Sequence, residues 1–255
     1  MNNIIEVNNL NKTFISDNKK ELVALEDVNL NIESQEFICL IGPSGSGKST
    51  LLKLMEGLIF PTEGTVRIMN KLVDGPSLDA AMVFQEYSLM PWKNVIDNIA
   101  FGLELRKVSK NERYEIANKY LNRFGLKGFA KSLPHELSGG MKQRAAIARA
   151  VSISPRILFM DEPFGALDAY TRFKMQKELT EFWLEDKRTI VFVTHSVEEA
   201  VFLASKVVLM SPRPGKIAKE YNIDLPYPRN RFNEKFALYF EEIMEDMNKV
   251  STTGI

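Results

Sequence analysis

The chain has 255 residues, 45% of them hydrophobic, and carries 33 Lys plus Arg against 33 Asp plus Glu. That length suits one large domain or one domain with a subdomain, and zero net charge supplies no global basic field for nucleic acid. The single cysteine, Cys39, cannot form an internal disulfide; in its apolar run it reads as a small buried hydrophobe. The N-terminus lacks the basic start and apolar core of a signal peptide, and no apolar run approaches the ~20 residues of a membrane helix. If the protein works at a membrane, other chains supply the membrane part.

In chain order, Ile4 to Val7, Lys12 to Phe14, Leu22 to Leu25 and Val28 to Ile32 read as strands of a small antiparallel sheet, with a polar turn from Ser16 to Lys20. Phe37 to Ile41 is an apolar run short enough for a buried strand. It leads into Gly42-Pro43-Ser44-Gly45-Ser46-Gly47-Lys48-Ser49-Thr50, after which Leu51, Leu52, Leu54 and Met55 fall at helical spacing. Thr65 to Met69 and Ala80 to Phe84 are further strands, the second ended by Gln85. Glu86 to Trp92 is apolar and aromatic without periodicity, which suits either a partner surface or a loop packed on its own domain. Residues 94–152 are mostly helical, with Ser138 capping a helix that starts at Gly139-Gly140. Ile157 to Met160 is a buried strand ending in Asp161-Glu162, followed by a helix from Ala169 to Asp186. Thr189 to Val193 is a strand ending in Thr194-His195; a helix to Leu203, a strand from Val207 to Met210 and an edge strand from Ile217 to Ile223 follow. The last helix presents Phe232, Phe236, Tyr239, Phe240, Ile243 and Met247 on one face. Glu241, Glu242, Glu245 and Asp246 fall off that face, and the helix is expected to pack on the chain's own core.

The stretch from Gly42 to Thr50 fits G-x-x-x-x-G-K-[ST] in the strand–loop–helix context that the motif requires. Its glycines let backbone N–H groups close around a polyphosphate, and the helix N-terminus adds partial positive charge. Lys48 is expected to reach the β- and γ-phosphates, and Ser49 to ligate Mg²⁺. Asp161 is expected to hold the Mg²⁺, leaving Glu162 to polarise an attacking water. His195 and Gln85 stand at strand ends, on the ligand side of an open α/β sheet. From there His195 is suited to the γ-phosphate or the water, and the Gln85 amide oxygen to Mg²⁺ or the water. The other histidine, His135, has no such placement and is expected on the surface. Phe14 suits either stacking on an adenine or packing on the sheet. Ser138-Gly139-Gly140 is a second anion-facing helix start, yet the chain has one metal and base set, which suggests a nucleotide shared between two chains.

Together these residues resemble the ATP-binding-cassette family over nearly the whole chain. The matches are residues 42–50; Gln85 as the glutamine loop; Leu137-Ser138-Gly139-Gly140-Met141-Lys142-Gln143-Arg144 as the signature; Ile157 to Pro163 as the second nucleotide motif; Ala166-Leu167-Asp168 after it; and His195 as the switch histidine. The resemblance implies an α/β fold: a phosphate-loop ATPase core with a mainly parallel sheet, an N-terminal antiparallel β subdomain and an inserted helical subdomain. It implies a core from residues 1–86 and 156–225, a helical subdomain over 87–155 and a C-terminal helix in 226–255. It further implies ATP and Mg²⁺ bound head-to-tail between two copies, with Ser138 and Gly140 of one meeting the γ-phosphate held by Lys48 of the other, and Phe14 stacked on adenine.

Finer features look like the importer ATPases of the nitrate, sulfonate and taurine class: Leu89-Met90-Pro91-Trp92, Met160 to Asp168, Thr194-His195, Met210 to Ile217 and Asp224-Leu225-Pro226-Tyr227-Pro228-Arg229. Ser46 stands where that class often has Cys, Gln35-Glu36 where Gly-Glu is usual and Ser196 where Asp is common. The class implies permease subunits docking near Gln85 to Trp92, an extracytoplasmic solute-binding protein, and work at the cytoplasmic face of the membrane. A soluble, non-transport cassette would want coiled-coil inserts, two cassettes in one chain or a basic surface. A phosphate-loop kinase or GTPase leaves Leu137 to Arg144 without a role, and the guanine-specific Asn-Lys-x-Asp run is missing.

Overall fold

A computed structural model describes residues 3–15 and 19–252. In chain order the elements are β1 (Asn3–Ile15), β2 (Glu21–Glu33), β3 (Phe37–Ile41), α1 (Lys48–Glu56), β4 (Glu63–Ile68), β5 (Lys71–Leu72) and β6 (Ala80–Val83). Then come α2 (Val95–Leu105), α3 (Lys110–Arg123), α4 (Gly139–Ser152), β7 (Ile157–Asp161) and α5 (Ala169–Asp186). The chain closes with β8 (Thr189–Val193), α6 (Val197–Leu203), β9 (Lys206–Met210), β10 (Ile217–Asn222) and α7 (Glu234–Thr252). It divides into two compact units, Met1–Ser77 with Asp186–Ile255, and Leu78–Glu185.

The first unit holds an antiparallel sheet in the order β2-β1-β4-β5 and the strands β10-β9-β3-β8, in which β3 runs parallel to β8 and β9. Every residue of β3 and β8 is buried, as parallel strands covered on both faces require. The four short N-terminal strands expected from sequence are two long ones. Register shifts between Val7 and Lys12 carry the chain past its polar interruptions. Asn9 and Asp27 take positive φ there, and the side chains of Asn9, Asp27 and Asn29 bond one another. Residues 16–18 of the expected polar turn lie outside the described residues.

Cys39 is fully buried, and burial, followed by the Glu199 carboxylate, pushes its thiol well up. In α7, Phe236 and Ile243 are buried, whereas Phe232 precedes the helix and is 97% exposed. Two of the acidic side chains that fall off the apolar face pair with β10 at the surface. Lys219 of β10 donates to Glu242 at 3.0 Å and to Asp246 at 2.7 Å, and Tyr221 Oη donates to Asp246 at 2.9 Å. Lys249 adds a third donor to Asp246 at 3.1 Å, and Lys219, then Lys249, then Tyr221 hold that carboxyl far below the usual carboxylate range.

The second unit pairs β6 with β7 in parallel and packs α2 on α3 and α4. The sheet, the antiparallel N-terminal portion and the helical block expected from sequence are all present. No helix among the described residues is long and apolar enough to cross a membrane.

Candidate active site

The residues singled out by sequence fall in both units, and each set is built by its own unit. In the first, Leu40 of β3 pairs with Val193 of β8, and Thr194 N donates to Leu40 O at 3.2 Å. Gly42 and His195 therefore leave the same edge of the sheet, one residue and two residues beyond their strands. Gly47 turns the chain into α1 at φ 87°, and a Cβ there would stand 2.5 Å from Leu25 Cδ2, so only glycine fits.

Lys48 is 6% exposed, and its ammonium donates to Gly42 O at 2.8 Å, Pro43 O at 2.9 Å and Ser46 Oγ at 3.2 Å. A buried ammonium needs such acceptors. The helical ladder begins with Leu51 N donating to Gly47 O at 2.8 Å, which sets the positive end of the helix dipole at the loop. His195 is exposed, between the buried Thr194 and the helix cap Ser196. The Phe14 ring is 39% exposed rather than part of a core, with the Lys12 ammonium 5.0 Å from its centroid.

In the second unit, Val83 pairs with Met160, so Gln85 and the Asp161-Glu162 pair leave the same end of two parallel strands. β6 stops at Val83, one residue short of the expected end, and Gln85 is exposed in the loop beyond. Asp161 is the last residue of β7 and 7% exposed. Glu162 takes φ 43°, a left-handed conformation that non-glycine residues seldom adopt and that clusters at functional sites. Its carbonyl accepts from Gly165 N at 3.1 Å, closing a tight turn.

Ser138 caps α4 as expected, its Oγ accepting from Met141 N at 3.4 Å. A Cβ on Gly140 would stand 2.9 Å from Thr171 Cγ2, and one on Gly139 3.0 Å from Tyr87 Oη. The signature turn, the loop after Gln85 and the start of α5 thus converge within this unit. Asp168 caps α5 by accepting from Thr171 N at 2.9 Å, and the Thr171 hydrogen bonds hold its carboxyl below the usual range. A cleft of about 750 Å³ opens beside Gln85 to Leu89 and is also lined by Pro134, the exposed His135, Lys142 and Ala166.

The Glu86 to Trp92 segment is packed on its own domain, one of the two readings that sequence offered. Its backbone is fixed by its own unit. The fully buried Asn98 accepts from Met90 N at 2.8 Å and donates to Met90 O at 3.2 Å and Lys93 O at 2.8 Å, and Arg149 donates to Ser88 O at 2.7 Å. Trp92 nevertheless stands 75% exposed. Asn98 and Arg149 escaped the sequence reading; the available signal was a polar residue inside the apolar pattern of α2.

Comparison with known proteins bears on both halves. The ABC transporter family matches residues 25–165. The chain is 48% identical over 248 residues to the nitrate import ATP-binding protein NrtD of Synechocystis sp., covering 94% of this chain and 93% of that one. It is 47% identical over 201 residues to the taurine import ATP-binding protein TauB of Yersinia pestis, covering 79% of each. A solved dimeric ATP-binding cassette in a post-hydrolysis state, bound to ADP and Pi, superposes with a TM-score of 0.78 at 33% identity, over 87% of this chain and 100% of that one. Phosphate loop, strained carboxylate pair and capped signature helix thus occur in the order and on the fold of those cassettes: the chain belongs to the ABC transporter family and is an ATP-binding, ATP-hydrolysing subunit.

Proposed function

We propose that this ATPase energises a membrane importer for a small solute, with ATP held between the phosphate loop of one copy and the signature of a second. The observation that carries this reading is the pair of anion-suited helix starts, α1 at Lys48 and α4 behind Ser138, of which only the first has a buried lysine bonded into its own loop. The dimeric neighbour bound to ADP and Pi supports it. Relatives named for nitrate and taurine import support a small oxyanion or sulfonate as solute.

In this reading the backbone from Gly42 to Thr50 wraps the phosphates and Lys48 offsets their charge, exchanging acceptors in its own loop for phosphate oxygens. Phe14 stacks on adenine. Ser138, Gly139 and Gly140 close on the γ-phosphate from the other copy. Glu162 orients the attacking water, and His195 and Gln85 complete that side. The hydroxyl of Ser49, the carboxylate of Asp161 and the amide oxygen of Gln85 are hard oxygen donors that fit Mg²⁺. When bound, Mg²⁺ offsets charge on the β- and γ-phosphate oxygens. Permease subunits dock at Gln85 to Trp92 from the membrane side, the chain lies on the cytoplasmic face, and the solute reaches the permease through an extracytoplasmic binding protein.

Replacing Glu162 by Gln tests the chemistry. ATP binding should persist while steady-state turnover falls on the order of a hundredfold or more. Normal turnover in that variant would remove Glu162 from its role.

A further inference from the structure

α6 is seven residues long, too short to hold its own shape, so its position depends on what grips its two ends. Its N-terminal end is tied to the turn that carries His195. Ser196 caps the helix by accepting from Glu199 N at 3.3 Å. Thr194 Oγ1 donates to the buried Glu199 carboxylate and accepts from Ser196 N at 3.1 Å. His195 therefore stands between two residues that are both bonded into the first turns of α6.

The C-terminal end is gripped by the Asp224 to Arg231 segment, part of which the sequence singled out but to which the ATPase chemistry gives no task. The carbonyls of a helix's last turn have no partner within the helix. Here three of them are taken up by two side chains. Arg229 Nη1 donates to Val201 O and Ala204 O, both at 2.6 Å, and Tyr227 Oη donates to Leu203 O at 2.8 Å. The same guanidinium donates through Nη2 to Ile223 O at 3.1 Å and through Nε to Leu225 O at 3.4 Å, and lies 4.2 Å from the Tyr227 ring centroid. Its charge also complements the negative end of the helix dipole. Outside this buried clamp, Arg231 Nε donates to Glu198 at 2.5 Å, and its guanidinium stacks 3.7 Å from the centroid of Phe202, both residues of α6.

We propose that Tyr227, Arg229 and Arg231 are positioning residues for His195, acting through α6 to hold the imidazole at the angle that hydrolysis needs. The inference rests on the reading that His195 works at the γ-phosphate. A misplacement of about an ångström in such a group costs up to about a hundredfold in rate. Loosening one of the three anchors should therefore lower turnover without touching the phosphate loop.

Arg229 is buried, and its removal threatens folding, so the more peripheral Arg231 is the variant to use. Arg231→Met should lower kcat of the full chain about tenfold while leaving KM for ATP and the thermal midpoint close to wild type. Arg231→Lys should recover part of the loss. In a His195→Ala background the same Arg231→Met change should have no further effect, because the two act through one group. Unchanged kcat in Arg231→Met, or an equal loss with and without His195, would overturn the positioning role alone. Wild-type turnover in His195→Ala would overturn the reading of His195 and this inference with it.

Discussion

The two anion-suited ends of this molecule are built in opposite ways. The phosphate loop is braced from behind: Ser46 is fully buried, Lys48 is 6% exposed with three acceptors, and the backbone of Gly215 packs so closely that a Cβ there would stand 2.0 Å from Ser46 O, while Ser44 and Gly45 stay exposed. The signature turn is open: Ser138 is exposed and spends its hydroxyl on a 3.4 Å cap. A braced loop with a buried lysine is suited to grip a nucleotide unaided. An open cap with no lysine buried in its turn is suited to meet a phosphate that another chain presents. In the proposed reading, this contrast lets one chain bind ATP by itself and still need a second copy to spend it.

The contrast can be broken from either side. Lys48→Ala should give the largest effect, removing the buried cation and lowering kcat/KM for ATP on the order of a thousandfold, with nucleotide binding lost in a fluorescence titration. Ser138→Arg should lower ATPase activity on the order of a hundredfold while the isolated chain binds nucleotide within about threefold of wild type. Loss of binding in that variant would mean that the signature belongs to the same grip as the loop. Asp at both Leu89 and Met90 should leave ATPase activity of the isolated subunit near normal and lower transport by the assembled complex at least about tenfold. Unchanged transport would move the permease elsewhere.

The smallest effect concerns stability, at the far end of the loop's own helix. Glu56 is 9% exposed, its Oε2 has no hydrogen-bond partner among the described residues, and burial pushes its carboxyl from 4.5 up to about 7. A carboxyl whose folded value is raised binds its proton more tightly when folded. Stability therefore falls as pH rises from about 4.5 through about 7, and stays low above that. Glu56→Gln should raise stability by about 2–3 kcal/mol at pH 8 and by little at pH 5, read from denaturant unfolding.

Much of this was legible because each motif is local. Gly42 to Thr50 carries its loop, its lysine and its helix start in nine adjacent residues, and Ser138 before Gly139-Gly140 announces a cap by residue type alone. What sequence could not supply is set by partners distant in the chain. The φ of Glu162 depends on the turn that Gly165 closes beneath it. The pairing of Glu242 and Asp246 depends on a lysine in β10 more than twenty residues away. The Asn98 anchor of the Glu86 to Trp92 loop looks, in sequence, like a flaw in an apolar helix. The long bulged β1 and β2 look like four strands because bulges shift register without changing composition.

The central claim is that one ATP is shared by two copies. It is tested most directly by the mass of the Glu162→Gln variant in solution with ATP, measured by light scattering during gel filtration. The shared site predicts a particle of twice the 29.0 kDa chain mass with ATP, returning to 29.0 kDa when Ser138→Arg is added. A particle that stays at 29.0 kDa while ATP is demonstrably bound would contradict it.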